Sequence, residues 1–185
     1  MKIEQSTVTK IKLTEIKDLD PVTVILENYA PGKGKIIIEC YGESWSSYWG
    51  AMSGDSIEEF FVRIDHGYAA NNLRYMESVI DDFEAITPLV RQRIITKRRQ
   101  GSISALAARE LFNQEDWTDL VPTHPYDDWL PPSLVDESDF KGLELEEISI
   151  PQKPNPDYQY LCRIIENVQQ GLKLYIDSKP SKEAA

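Results

Sequence analysis

The chain has 185 residues, 41% of them apolar, enough for one compact domain or a domain with an appendage. Twenty Lys and Arg against thirty-one Asp and Glu leave a net charge of −11, which argues against a general binder of polyanions. No run of about 18 apolar residues is present to span a membrane. The opening MKIEQSTVTKIKL has no apolar stretch after its basic residues, so no signal peptide is expected. Cys40 and Cys162 each sit in an apolar stretch and read as reduced core residues, which suits the cytoplasm.

The first forty residues predict strands. Residues 7–16 set Val8, Ile11 and Leu13 among polar neighbours at a rough period of two, and after Pro21 the side chains of Val22, Val24 and Leu26 share a face. Asn28-Tyr29-Ala30-Pro31-Gly32-Lys33-Gly34 has the composition of a hairpin loop. A third run then puts Ile36, Ile38 and Cys40 on one face, with Ile37, Glu39 and Tyr41 on the other. Three strands joined by short loops make an antiparallel meander, and Ile11, Val24 and Ile38 need a helical cover. Gly42 closes the third strand, and Trp45, Tyr48 and Trp49, at i, i+3 and i+4, predict a short helical turn. Ser56 and Glu59 form a capping box ahead of a stripe of Ile57, Phe60, Phe61 and Ile64. Leu73, Met76, Ile80 and Phe83 carry helical spacing onward. The expected fold is therefore α+β, with a core over residues 1–86.

Thr87-Pro88 predicts a helix start, Gly101 a stop after Gln100, and Ser102 the cap of a second short helix with Ile103, Leu106 and Leu111 inward. Residues 87–113 thus read as a helical hairpin. Charge separates it from its surroundings: the net is −7 over residues 1–87, +5 over 88–112 and −9 over 113–185. Residues 114–154 read as an extended acidic arm. Between 113 and 150 there are eleven acids and one base, Lys141, with Pro122, Pro125, Pro131 and Pro132 opposing a long helix. Trp117, Tyr126, Trp129, Leu130, Leu134 and Phe140 give the arm apolar anchors, on its own core or on a partner. Asn155-Pro156 starts the last helix, expected over 155–178 and followed by a frayed tail at 179–185. Tyr158, Leu161, Ile165, Val168, Leu172 and Tyr175 form its seam, which either covers the meander or makes a homodimer.

Chemical motifs are sparse. Gly42-Glu43-Ser44-Trp45-Ser46 imitates a nucleophile elbow but lacks the second glycine, and only His66 and His124 could serve as base. His124-Pro125-Tyr126-Asp127-Asp128 offers one imidazole without a second His nearby. No Walker A loop, G-x-G-x-x-G or C-x-x-C occurs, so no catalytic residue, metal or cofactor is expected. Two surfaces remain. Arg91, Arg93, Lys97, Arg98 and Arg99 form a basic patch that either pairs with the acidic arms or docks an acidic partner. Their helix opens a hairpin resembling a helix-turn-helix, yet the second helix carries mostly small residues, which favours phosphate contact over base reading. On the acidic arm, Trp117, Asp127, Asp128, Trp129, Asp136 and Glu137 are expected to bind a host protein with a basic surface, or to mimic DNA.

The runs Ile11-Lys12-Leu13-Thr14-Glu15-Ile16 and Asp20-Pro21-Val22-Thr23-Val24, with 39–52, Glu58-Glu59-Phe60-Phe61 and Asn71-Asn72-Leu73, resemble a family of small accessory proteins of temperate bacteriophages carried by enteric bacteria. The resemblance covers about the first 75 residues. It implies a phage gene expressed in bacterial cytoplasm and a product that acts on a host system, as inhibitors of antiviral defence do. It carries over no catalytic residue. The expected function is non-enzymatic binding and modulation of a host protein or complex; the alternative is a nucleic-acid-associated factor using the basic 91–99 helix.

Overall fold

In a computed structural model the described residues are 1–115, 117 and 135–179. In chain order the first elements are β1 (Thr9–Leu13), β2 (Val22–Ala30), β3 (Lys33–Cys40), β4 (Glu43–Trp49), α1 (Ile57–Arg63) and α2 (His66–Leu73). They are followed by β5 (Val79–Asp81), α3 (Ile86–Gln100), α4 (Ala105–Phe112), α5 (Glu137–Lys141), β6 (Gln152–Pro154) and α6 (Pro156–Ser178). The chain forms two compact units. One joins Met1–Ser78 to the chain from Asn155 onward, and the other is Val79–Pro154.

The first unit is built on a four-stranded antiparallel sheet of order β1-β2-β3-β4. Its register lines up Ile11, Val24, Ile38 and Trp45 across the inner face. The expected meander had three strands; the fourth strand replaces the helical turn read at Trp45, Tyr48 and Trp49. Tyr41 and Gly42 both take positive φ, 48° and 81°, the backbone of a two-residue hairpin turn. The chain therefore folds straight back beside β3. A spacing of four puts Trp45 and Trp49 on one side of a strand as readily as of a helix, and both are buried while Tyr48 is exposed.

Helices cover the inner face. α1 starts on the capping box: the Ser56 hydroxyl accepts from the Glu59 amide, and the Glu59 carboxylate accepts from the Ser56 amide at 3.0 Å. α2 is capped by Asp65 and ends where Arg74 turns extended, so the helical spacing read onward through Met76, Ile80 and Phe83 is not realised. α6, started by Asn155 and Pro156, packs on α1, α2 and β2. Leu161, Ile165, Val168 and Leu172 of its seam are buried in this unit's core, together with Cys162. The approach of α6 to β1 is close: a Cβ at Gly171 would lie 2.5 Å from Leu13 Cδ2. Both cysteines are buried and free. Glu58 is the one charged residue buried among those described, and Asn28 and Lys179 each donate to its carboxylate at 2.9 Å.

The second unit centres on α3 and α4. α3 begins at Ile86, one residue ahead of Thr87, whose hydroxyl instead accepts from the Trp117 amide. Gly101 stops α3 in the left-handed conformation, φ 79°. The cap of α4 is Ser104 rather than Ser102, and Asp139 in turn accepts from the Ser104 amide and hydroxyl at 2.7 Å. The apolar core joins Ile86, Val90, Ile94, Ile103 and Leu111 to Trp117, Val135, Phe140, Leu143 and Leu145. β5 pairs with β6, so both ends of this unit meet in one small ladder. No helix among the described residues is long and apolar enough to cross a membrane.

Candidate functional site

The cations of α3 divide into three groups by what they touch. Arg93 reaches across to residues 143–147, donating to Glu147 at 2.7 Å, to Glu144 at 3.2 Å and to the Leu143 carbonyl. Lys97 donates to the same Glu144 carboxylate. That hydrogen bond outweighs the opposing effect of burial and holds the Glu144 carboxyl below its ordinary pKa. Glu144 sits at positive φ, 51°, an uncommon backbone for a non-glycine residue. The cavity beside this network, about 520 Å³, is lined by two cations and two carboxylates whose charges cancel. Arg91 has a different task. It donates to the carbonyls of Phe112 and Gln114 and lies 5.6 Å from the Phe112 ring centre, tying down the end of α4.

Arg98 and Arg99 remain. Both are exposed, and neither forms an ion pair with the described residues. Arg109 of α4 joins them, also exposed and likewise unpaired among the described residues. The three guanidinium groups line a groove of about 460 Å³ whose apolar floor includes Ile95, Ala108 and Phe112. Phe112 keeps 40% of its surface exposed. Reading the sequence picked out Arg98 and Arg99 but missed Arg109 and the floor. The available signal was Ala108 and Phe112 at i, i+4 beside the single cation of the second helix.

Of the acidic arm, residues 114, 115, 117 and 135–154 are described. Trp117, read as an anchor for a partner, is fully enclosed in the second unit's core, where its indole N–H meets no acceptor among the described residues. The indole covers α3 and α4 from inside, so its surface is spent within the fold. Asp139 accepts from Ser104, the cap of α4, and Glu144 and Glu147 pair with Arg93 and Lys97. Asp136 is exposed at the head of α5, and Glu137 is that helix's first residue. Asp127, Asp128, Trp129 and His124 lie outside the described residues. Ser44, the serine of the imitation elbow, sits within β4 on a hairpin rather than on a strand-to-helix turn. His66 opens α2, 3.9 Å from carboxylate oxygens of Asp65 and Glu166. Among the described residues no three His, Cys, Asp or Glu side chains gather as ligands for a metal ion.

A family model, Phage_phiTE_072, described as a phage family, matches residues 1–174. No curated protein and no solved structure matches the chain.

Proposed function

We propose, from the premise that the chain belongs to the phage family Phage_phiTE_072, that it is an accessory protein that binds a host protein and modulates it without catalysis. Inhibition of an antiviral defence in the host cytoplasm is the setting that the resemblance to temperate phages of enteric bacteria favours. The observation that supports binding is the division of the basic island. Arg93 and Lys97 are consumed by Glu144 and Glu147, whereas Arg98, Arg99 and Arg109 surround an open apolar groove. Cations that serve only solubility need no apolar floor between them. An interface does, because apolar burial supplies affinity and charge supplies orientation and encounter rate.

The test is affinity capture from a lysogenic enteric lysate, comparing tagged wild type with the Arg98→Gln, Arg99→Gln, Arg109→Gln variant. All three positions are exposed, so each change should alter stability by no more than about 0.5 kcal/mol. A specific host protein retained by the wild type and lost by the variant is the expected result. Equal capture by both, or no specific capture, refutes the assignment. A second reading, nucleic-acid contact, rests on the same three guanidinium groups. Three phosphate contacts give a salt slope of about −2.7, too shallow for tight binding by charge alone. Retention of duplex DNA at about 100 mM salt, lost in the same variant, would reverse the order of the two readings.

A further inference from the structure

We infer that the groove between α3 and α4 receives an acidic amphipathic helix of a partner protein, its apolar stripe on Ile95, Ala108 and Phe112 and its carboxylates on Arg98, Arg99 and Arg109. This rests on the host-protein reading above and names the chemistry of the segment that would be bound.

Three observations select this occupant. The first is charge: among the described residues the groove's ionisable lining consists of Arg98, Arg99 and Arg109, with no carboxylate. Guanidinium forks match carboxylates in bidentate geometry, so an acidic segment is favoured over a neutral or basic one. The second is the floor. Phe112 is 40% exposed, with Ile95 and Ala108 half-buried beside it. A phosphate backbone would gain nothing by covering these side chains, whereas a row of leucines would gain the usual apolar burial. The third is the backbone of the walls. Both are helices, whose mid-helix amides and carbonyls are already bonded within the helix, so no sheet edge is on offer. A peptide lying on an apolar floor must then satisfy its own backbone groups, and a helix does so. The groove runs beside Ile94 to Arg99 of α3 and the eight residues of α4, about 12 Å, room for roughly two turns of a docked helix.

The test uses the full chain and synthetic 18-residue peptides, read by fluorescence anisotropy and circular dichroism at about 50 mM salt. The stripe peptide carries Leu at i, i+3, i+4 and i+7 with Glu elsewhere. A second peptide has the same composition, scrambled to break the stripe, and a 20-base-pair DNA duplex is the third probe. The stripe peptide should bind at least tenfold more tightly than the scrambled one and gain helicity on binding. Phe112→Gln should weaken it about tenfold. Ala108→Gln, which leaves Phe112 in place and fills the floor, should do the same. Arg98→Gln with Arg99→Gln should weaken it several-fold and flatten its salt dependence. Equal binding of the two peptides, tighter binding of the duplex, or indifference to both floor variants would each overturn the inference. Host capture that depends on the three arginines, with no binding of the stripe peptide, leaves the host-protein reading standing and removes the helix. Binding of the stripe peptide without any host capture does the reverse.

Discussion

Replacing Trp117 with Ala should cripple the second unit before it touches any partner. The indole is the largest fully buried side chain and sits among Ile86, Val90, Ile94 and Leu111. Truncations of this kind cost about 3–5 kcal/mol, because transfer energy is lost and a cavity is left behind. The unit spans 76 residues, Val79–Pro154, and at about 0.05–0.15 kcal/mol per residue its whole stability is about 4–11 kcal/mol. The substitution therefore removes about a quarter of the stability at least, and most or all of it at the lower end. Trp117→Phe is a graded control. Its indole N–H has no acceptor among the described residues, so no hydrogen bond to them is lost with the volume. Urea unfolding and hydrogen exchange of the α3 and α4 amides should show the order wild type, Phe, Ala. An unchanged urea midpoint for Trp117→Ala, with faster release of a captured host protein, would refute the core assignment and restore Trp117 as a partner anchor.

Val168 is fully buried in α6, so Val168→Glu places an unpaired carboxylate in the first unit's core and should cost several kcal/mol. Circular dichroism should show loss of folded structure; a folded variant with altered sedimentation would instead make the seam an association surface. Glu58 gives the acid limb of stability. Burial pushes its carboxyl up, but the hydrogen bonds from Asn28 and Lys179 outweigh that and hold its pKa below the ordinary 4.5. Its contribution is thus present above 4.5 and lost as pH falls through the lowered folded value. Melting temperatures should place Glu58→Gln below wild type at neutral pH, and the gap should close in acid; a gap that widens on acidification would contradict the assignment.

Much of the architecture was written locally. The alternation at Val22, Val24, Leu26 and Ile36, Ile38, the Ser56–Glu59 box, the stop at Gly101 and the Asn155-Pro156 start are each decided by neighbours a few residues apart, and each appears where expected. What was hidden depends on partners distant in sequence. β4 was read as a helical turn because Trp45 and Trp49 satisfy both periods, and only pairing with β3 separates them. The basic island was visible as composition, but which of its members are spent was not. Arg93 meets Glu144 and Glu147 from about fifty positions away, and no local pattern announces that. The burial of Trp117 was hidden for a related reason. Its acidic neighbours suggested a wet surface, while the enclosing side chains come from α3, α4 and residues 135–145.

The first unit is interrupted in sequence but nearly seamless in space. The Asn155 amide donates to the Ser78 carbonyl at 2.9 Å, and the Asn155 side chain donates to the Glu77 carbonyl at 2.8 Å. Excision of 79–154 would thus leave two chain ends close enough to splice with a short turn, and the excised piece would carry its own β5–β6 clasp. Insertions with neighbouring ends are the kind that genomes can exchange without rebuilding the host fold. Synthesis on the ribosome runs against the same geometry. The sheet emerges early, but α6 cannot pack on it until the intervening segment has been made, so the nascent meander waits with only α1 and α2 to cover it. A premature stop anywhere before residue 155 should therefore yield an aggregating product rather than a small stable domain.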